Sequence, residues 1–217
     1  MNRIVYCEFE KKEDPILFKE LLLRVSVEKR ERIVRMRSDI DKILSLYAEI
    51  IVRNIASEFL NIGNSDIEII RGKYGKPYLK GYANFHFNVS HTHNAIAVAV
   101  ADTPIGIDIE RIRPLNDSIV KRLYSFKEKE YVYGVAGEEE RRFSEVWTRK
   151  ESYIKRDDRN ISLGSFSIDT FKDVIDGQIK TYCIGKYVIS VCGNQAVEKF
   201  DLINQEKFRS MISWRKV

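Results

Sequence analysis

Apolar residues recur along the chain in two rhythms. Between residues 40 and 60, Ile43, Leu46, Tyr47, Ile50, Ile51, Ile55 and Leu60 keep the three-and-four spacing that lines one face of a helix. Ser38-Asp39-Ile40-Asp41 supplies a capping signal at the start of this helix, and Asn61-Ile62-Gly63 ends it. Asp14 and Pro15 have the character of an N-cap and first helical residue, which predicts an earlier helix reaching about Arg24. A basic stretch follows, with Lys29 and Arg32 three apart on a short helix. Elsewhere the period is two. Alternation or continuous apolar runs predict strands at the chain start and at 66–71, 84–89 and 95–101, with Tyr74-Gly75-Lys76-Pro77 as a tight turn.

Beyond Asp102-Thr103-Pro104 the strand and helix signals resume. A strand is expected at 105–110, helices near 117–124, 127–133 and 141–155, and strands at 166–169, 178–184 and 187–192. This mixture predicts an α+β fold, divided into an N-terminal subdomain over 1–103 and a C-terminal subdomain over 104–217.

Composition narrows the class without naming a function. With 44% hydrophobic residues in 217 and no low-complexity stretch, the chain can bury a core. No apolar run approaches a membrane span, and the first residues alternate like a strand, so a cytoplasmic protein without membrane association is expected. Cys7, Cys183 and Cys192 form no C-x-x-C pair, and a hairpin turning at Gly185-Lys186 would not set Cys183 opposite Cys192, so all three are expected to be reduced. A net charge of +5 suits an acidic partner, a nucleic acid or an anionic small molecule equally.

Chemistry concentrates in three acids. In Gly106-Ile107-Asp108-Ile109-Glu110 the period of two turns Asp108 and Glu110 to one face and Ile105, Ile107 and Ile109 to the other. Like charges this close repel unless a cation lies between them, and hard oxygen ligands suit Mg²⁺ better than zinc. Further on, Trp147-Thr148-Arg149-Lys150-Glu151-Ser152-Tyr153-Ile154-Lys155 continues a helix whose apolar stripe is Phe143, Trp147 and Ile154. Lys150 flanks the stripe on one side, Glu151 and Lys155 on the other. Read singly, Glu151 and Lys155 make an ordinary i, i+4 pair and the strand acids an exposed face. Read together, they describe three carboxylates for a metal, Asp108, Glu110 and Glu151, beside lysines for phosphates. His86, His91 and His93 raise a zinc site as a weaker reading, since the string lacks a matching ligand elsewhere.

The paired signature Gly106-Ile107-Asp108-Ile109-Glu110 and Trp147-x-x-Lys150-Glu151-x-x-x-Lys155 resembles that of the 4′-phosphopantetheinyl transferases. Glu28-Lys29-Arg30-Glu31-Arg32, Tyr74-Gly75-Lys76-Pro77 and Phe87-Asn88-Val89-Ser90-His91 resemble the longer, surfactin-synthetase-activating (Sfp-like) type more than the short trimeric holo-acyl-carrier-protein synthases. The resemblance implies two similar α/β subdomains related by a pseudo-twofold, an active site in the cleft between them, and a monomer. It implies that a phosphopantetheine arm passes from coenzyme A to a serine of an apo acyl or peptidyl carrier protein, with Mg²⁺ as cofactor and release of adenosine 3′,5′-bisphosphate.

Site roles follow from the same resemblance. Lys29 and Arg32 are expected on the coenzyme's 3′-phosphate, Tyr74, Gly75 and Pro77 against the adenine, and Lys76, Ser90, His91, Lys150 and Lys155 on coenzyme phosphates. Asp108, Glu110 and Glu151 are expected to hold the metal, and Glu151 and Lys155 to act in catalysis. Glu128 is the expected base for the serine hydroxyl, with Glu130 its rival should the register slip. Three positions depart from the family pattern: Leu44 stands where an arginine is usual, and Asp158 and Asn160 replace glycines after the motif lysine. Other classes stay open, namely a Mg²⁺-dependent phosphohydrolase using the same acids, a carrier-binding relative without activity, and a nucleic-acid-binding module. The last lacks any recognised binding motif, so no nucleic-acid partner is expected.

Overall fold

The computed structural model describes residues 2–9, 15–157, 166–194, 197 and 199–213. The elements, in order, are β1 Asn2–Glu8, α1 Pro15–Leu22, α2 Val27–Val34, α3 Asp39–Leu60, β2 Ile69–Arg71, β3 Pro77–Leu79, β4 His86–Thr92 and β5 Ala95–Ala101. There follow β6 Ile105–Arg111, α4 Asp117–Leu123, α5 Phe126–Tyr133, α6 Glu139–Arg156, α7 Asp173–Asp176, β7 Ile179–Ile184, β8 Tyr187–Gly193, β9 Lys199–Ile203 and α8 Gln205–Ser213. Asp14, Asp158 and Asn160 lie outside the described residues. Ser38 caps α3 through the Asp41 N–H, and Asn61 ends it in the left-handed conformation, as the capping signals predict.

Two sheets carry the fold, and they repeat one plan. β1 leads to the long helix α3 and the hairpin β4–β5, with spatial order β4-β5-β1. β6 leads to the long helix α6 and the hairpin β7–β8, with order β7-β8-β6. All these neighbours pair antiparallel. In the first half, Phe87 and Val98 face α3 residues such as Leu46 and Ile50 in a large apolar core. A second core joins the halves: Ile4, Tyr6, Ala97 and Ala99 meet Ile105, Ile107, Ile109, Tyr187 and Ile189. The isoleucines of β6 therefore point where alternation places them, which turns Asp108 and Glu110 the other way.

The chain end does not stay with the second half. β9 pairs parallel with β1, Ile4 opposite Phe200 and Tyr6 opposite Leu202, and Phe208 of α8 fills a pocket between Phe9 and Tyr47. A division at 103/104 assigns these residues to the C-terminal subdomain, whereas residues 199–213 pack on the N-terminal sheet. The physical reason is the outer edge of β1, whose backbone groups need a partner.

One predicted strand is absent: residues 166–169 form a helical turn and irregular chain. Their backbone groups are satisfied by side chains instead of a ladder, Lys150 Nζ donating to the carbonyls of Phe166 (3.0 Å) and Ile168, and the Thr170 N–H donating to Glu128 (3.0 Å). Among the cysteines, none is disulfide-bonded, and Cys192 faces Ile179 across the hairpin while Cys183 faces Val188. No described helix is long and apolar enough to cross a membrane.

Candidate active site

Helix α6 lies across β6 at its glycine. A Cβ on Gly106 would stand 2.0 Å from the Ser152 carbonyl oxygen and 2.4 Å from the Arg156 nitrogen, so only glycine lets the helix come this close. The approach brings one face of α6, with Glu151 and Lys155, onto Asp108 and Glu110. Lys155 Nζ lies 2.6 Å from Asp108 Oδ1 and 3.6 Å from Glu151. Ser90, on β4 at the edge of the first sheet, donates to the same Asp108 oxygen at 2.8 Å. Thr92, one turn of the pleat further on, donates to Glu110 at 3.4 Å. Asn88 accepts the Ile107 N–H at 2.9 Å, so three alternate residues of β4 hold β6 in register.

The electrostatics are those of a cluster short of positive charge. Burial and the neighbouring Asp108 push the Glu110 carboxyl above the usual carboxylate range. Burial does the same to Glu151, helped by Asp108 and Glu110 and opposed by Lys155. Burial works against the Lys155 charge, yet Asp108, Glu151 and Glu110 together outweigh it and hold the ammonium above its ordinary value. Asp108 is almost fully buried, and its Oδ2 has no hydrogen-bond partner. Among the described residues no three His, Cys, Asp or Glu side chains converge closely enough as they stand to hold a metal. Lys155 occupies the position between the acids. The histidine string offers no alternative: His86 and His91 fall on opposite faces of β4, and His93 stands in the turn with positive φ.

Beside this cluster opens a cavity of about 520 Å³ whose lining includes Lys29, Arg32, Arg71 and His91 with the apolar Phe87, Val89 and Pro77. Lys29 reaches Ser45 at 3.1 Å and the buried Glu49 at 3.3 Å, both on α3. Burial drives its pKa down to about 8, against Glu49 and with help from Arg32 and Arg71. His91 stands at the junction of cavity and cluster. Burial lowers its proton affinity, opposed by Asp41 and aided by Lys155 and Lys29. Glu49, Ser45 and Arg71 were not legible as site residues, because each reads as a helix or strand position like any other until the walls close. Leu44 points into the core, fully buried.

The segments that build the cavity and the acid cluster match known families in sequence. Residues 14–103 match the family described as 4′-phosphopantetheinyl transferase, N-terminal, and residues 104–199 match the 4′-phosphopantetheinyl transferase superfamily. The chain is 34% identical over 154 residues to the 4′-phosphopantetheinyl transferase Sfp of Bacillus subtilis, covering 69% of this chain and 68% of that protein. The chain belongs to the 4′-phosphopantetheinyl transferase superfamily. The transferase psf-1 of Bacillus pumilus is 31% identical over 206 residues, 87% of this chain and 88% of its own. The transferase gsp of Aneurinibacillus migulanus is 33% identical over 174 residues, 78% and 72% respectively. The second family match ends at Lys199, where the chain leaves the second half to join β1.

In this transferase several expected site residues stand elsewhere. Glu128 is no surface acid. It is fully buried, accepts from the Ser125 N–H (2.7 Å), the Thr170 N–H (3.0 Å) and the Thr170 hydroxyl (2.8 Å), and pairs with the equally buried Lys150 at 2.8 Å. Its oxygens are committed to a capping box and a loop anchor, so as placed it faces no incoming hydroxyl. Lys150 caps the 166–168 carbonyls and lies apart from the cavity; burial lowers its pKa in spite of Glu128. Glu130 is exposed on α5. Ser90 faces Asp108 instead of sharing the cavity wall with His91, because β4 runs on to Thr92 and alternation separates the two. Tyr74 is half exposed on the β2–β3 turn, where Gly75 takes φ of 88°. Lys76 points away from the cavity, its ammonium donating to the carbonyls of Ile105 and Lys155, each at 2.9 Å, and of Arg156.

Proposed function

We propose that the protein transfers the 4′-phosphopantetheine arm of coenzyme A to a serine hydroxyl of an apo acyl or peptidyl carrier protein and releases adenosine 3′,5′-bisphosphate. The reading is carried by one juxtaposition: a cavity lined by Lys29, Arg32, Arg71 and His91 opening beside the Asp108, Glu110, Glu151 and Lys155 cluster. The cavity suits the 3′-phosphate and adenosine end of the coenzyme, with Pro77 and Phe87 as apolar walls, and the cluster suits the pyrophosphate whose bond breaks. Displacement at such a phosphorus is helped chiefly by positioning and charge neutralisation.

By donor type, though not by their spacing as they stand, the acids suit a hard divalent cation. Asp108 leaves one buried oxygen unpartnered, and Glu110 and Glu151 carry charges that burial and the neighbouring Asp108 disfavour. Asp108, Glu110 and Glu151 would hold Mg²⁺, which when bound neutralises charge on pyrophosphate oxygens. The remaining work falls to this chain's own groups. Lys155 supplies a positive charge to the departing phosphate, and Lys29, Arg32 and His91 fix the far end so that the reacting phosphorus stays in place. Since Glu128 is closed off, Glu151, on the helix face beside Lys155, accepts the serine proton. We also propose a cytoplasmic monomer in which the core shared by the two sheets takes the place of a subunit interface.

Mass spectrometry tests the reading directly. Incubated with coenzyme A, Mg²⁺ and an apo carrier, the protein should add one phosphopantetheine to the carrier. Hydrolysed coenzyme with an unmodified carrier would make it a phosphohydrolase, and binding without either change would make it an inert relative.

A further inference from the structure

We propose that Lys76 is a positioning residue which staples the catalytic helix to the strand of acids. It belongs to the β2–β3 turn of the first half, yet its ammonium reaches into the second. There it donates to the carbonyl of Ile105, where β6 begins, and to those of Lys155 and Arg156, where α6 ends. The last four carbonyls of a helix lack partners within it, and a cation at this end also meets the negative pole of the helix. Lys155 and Arg156 are two of those four. An ammonium has three N–H bonds, and three carbonyls receive them.

The location decides what the staple does. Ile105 precedes Gly106, the point at which α6 touches β6, and Lys155 is the residue whose side chain pairs with Asp108. Fixing the main chain at both places sets the offset between helix and strand, and with it the distances from Lys155 to Asp108 and Glu151. Displacements of about 1 Å in such a site can cost on the order of 100-fold in rate. The turn that carries Lys76 is itself held, since Arg71 donates to the Gly75 carbonyl at 2.5 Å and the Gly72 N–H donates to that of Lys76 at 2.9 Å. Arg71 lines the cavity, so the turn links the cavity wall to the catalytic helix.

The structural part of this proposal stands by itself, and its catalytic consequence rests on the transferase reading above. The test compares wild type with Lys76→Met by three measurements. Amide hydrogen exchange on the free protein should speed up in the last turn of α6 and the start of β6, with little change in α3. The kcat for carrier modification should fall at least ~10-fold. The Kd for adenosine 3′,5′-bisphosphate should stay within about 2-fold, with an unchanged salt dependence. Lys76→Arg, which keeps the charge and several donors, should restore much of the protection. If Lys76→Met does not fold, Lys76→Gln takes its place. Unchanged exchange overturns the proposal, as does a weaker Kd with a shallower salt dependence and an unaltered kcat, the pattern of a phosphate ligand. A wild-type protein without turnover defeats the transferase reading, and exchange then decides the staple alone.

Discussion

Among single residues, Lys29 couples the cavity to pH in two opposite senses. Its folded pKa of about 8 is below the ordinary 10.5, because burial outweighs Glu49. Below pH 8 the side chain is charged in both folded and unfolded chains, and folding carries the whole desolvation cost. Between pH 8 and 10.5 the unfolded chain holds a proton that the folded one lacks, so this residue's contribution to stability rises with pH. Anion binding moves the other way, since the cavity loses a positive charge over the same range. Thermal melts and calorimetric titration with adenosine 3′,5′-bisphosphate from pH 7 to 10 should therefore diverge, stability up and affinity down, and Lys29→Met should flatten both contributions. A parallel loss of affinity in the variant and the wild type would assign the pH dependence elsewhere.

Glu128 and Lys150 give a second residue-scale prediction. Both are fully buried, and removing one charge strands the other, at a cost of about 3–5 kcal/mol. Glu128→Gln should lower the unfolding free energy read from denaturant titration by that amount, and the double change Glu128→Gln with Lys150→Met should recover much of it. Glu130→Gln, on the exposed face of α5, should stay within about 0.5 kcal/mol of wild type. If Glu128→Gln abolished turnover while leaving stability untouched, Glu128 would return as a chemical base.

At the level of elements, β6 and α6 were legible because their patterns are strong and local. Alternation separated Ile105, Ile107 and Ile109 from Asp108 and Glu110, and helical spacing put Glu151 and Lys155 on one flank. Local sequence pattern thus suffices to pair the acids within β6 and Glu151 with Lys155 within α6. What alternation could not supply is which partner each polar group finds. Ser90 and His91 are adjacent in sequence and opposite in space, and Glu128 carries the same acidic label as its exposed neighbour Glu130 while closing a buried pair. Such assignments depend on long-range contacts, as between Glu128 and Thr170 or Lys76 and Arg156, which no local period encodes. The strand expected at 166–169 is absent for the same reason, a tertiary donor (Lys150) and acceptor (Glu128) having replaced a ladder. The crossing of α6 over Gly106 gives a prediction at this scale. Gly106→Ala forces a Cβ against helix backbone that cannot yield like a side chain, and the overpacking should cost about 2–3 kcal/mol, a fall of about 4–12 °C in Tm. Activity should fall further than stability, because the same shift moves Lys155 off Asp108; melting and initial-rate measurements on one preparation compare the two.

For the whole molecule, the two halves are held together by the apolar core between the sheets, the β4 side chains bonded to β6, the Lys76 contacts, and the return of β9 and α8 to the first sheet. The first bears on assembly. Ile4, Tyr6 and Ala99 on one sheet cover Ile107, Ile109 and Ile189 on the other, so each half shields the apolar face that a lone half would expose. Sedimentation should accordingly give a single species near 25.4 kDa, and a trimer would mean that the shared core does not stand in for a subunit interface. The last of them bears on stability. Phe208 is fully buried against Phe9 and Tyr47, with ring centroids 5.3 and 4.5 Å away, so α8 acts as a plug over the first core. Phe208→Ala should cost about 3–5 kcal/mol. Hydrogen exchange should then loosen α8, β9 and the outer edge of β1 first, while the last turn of α6 keeps its protection. Loosening that began instead at α6 would mean that the closing strand and helix support the catalytic cleft directly, and that the two cores respond as one unit.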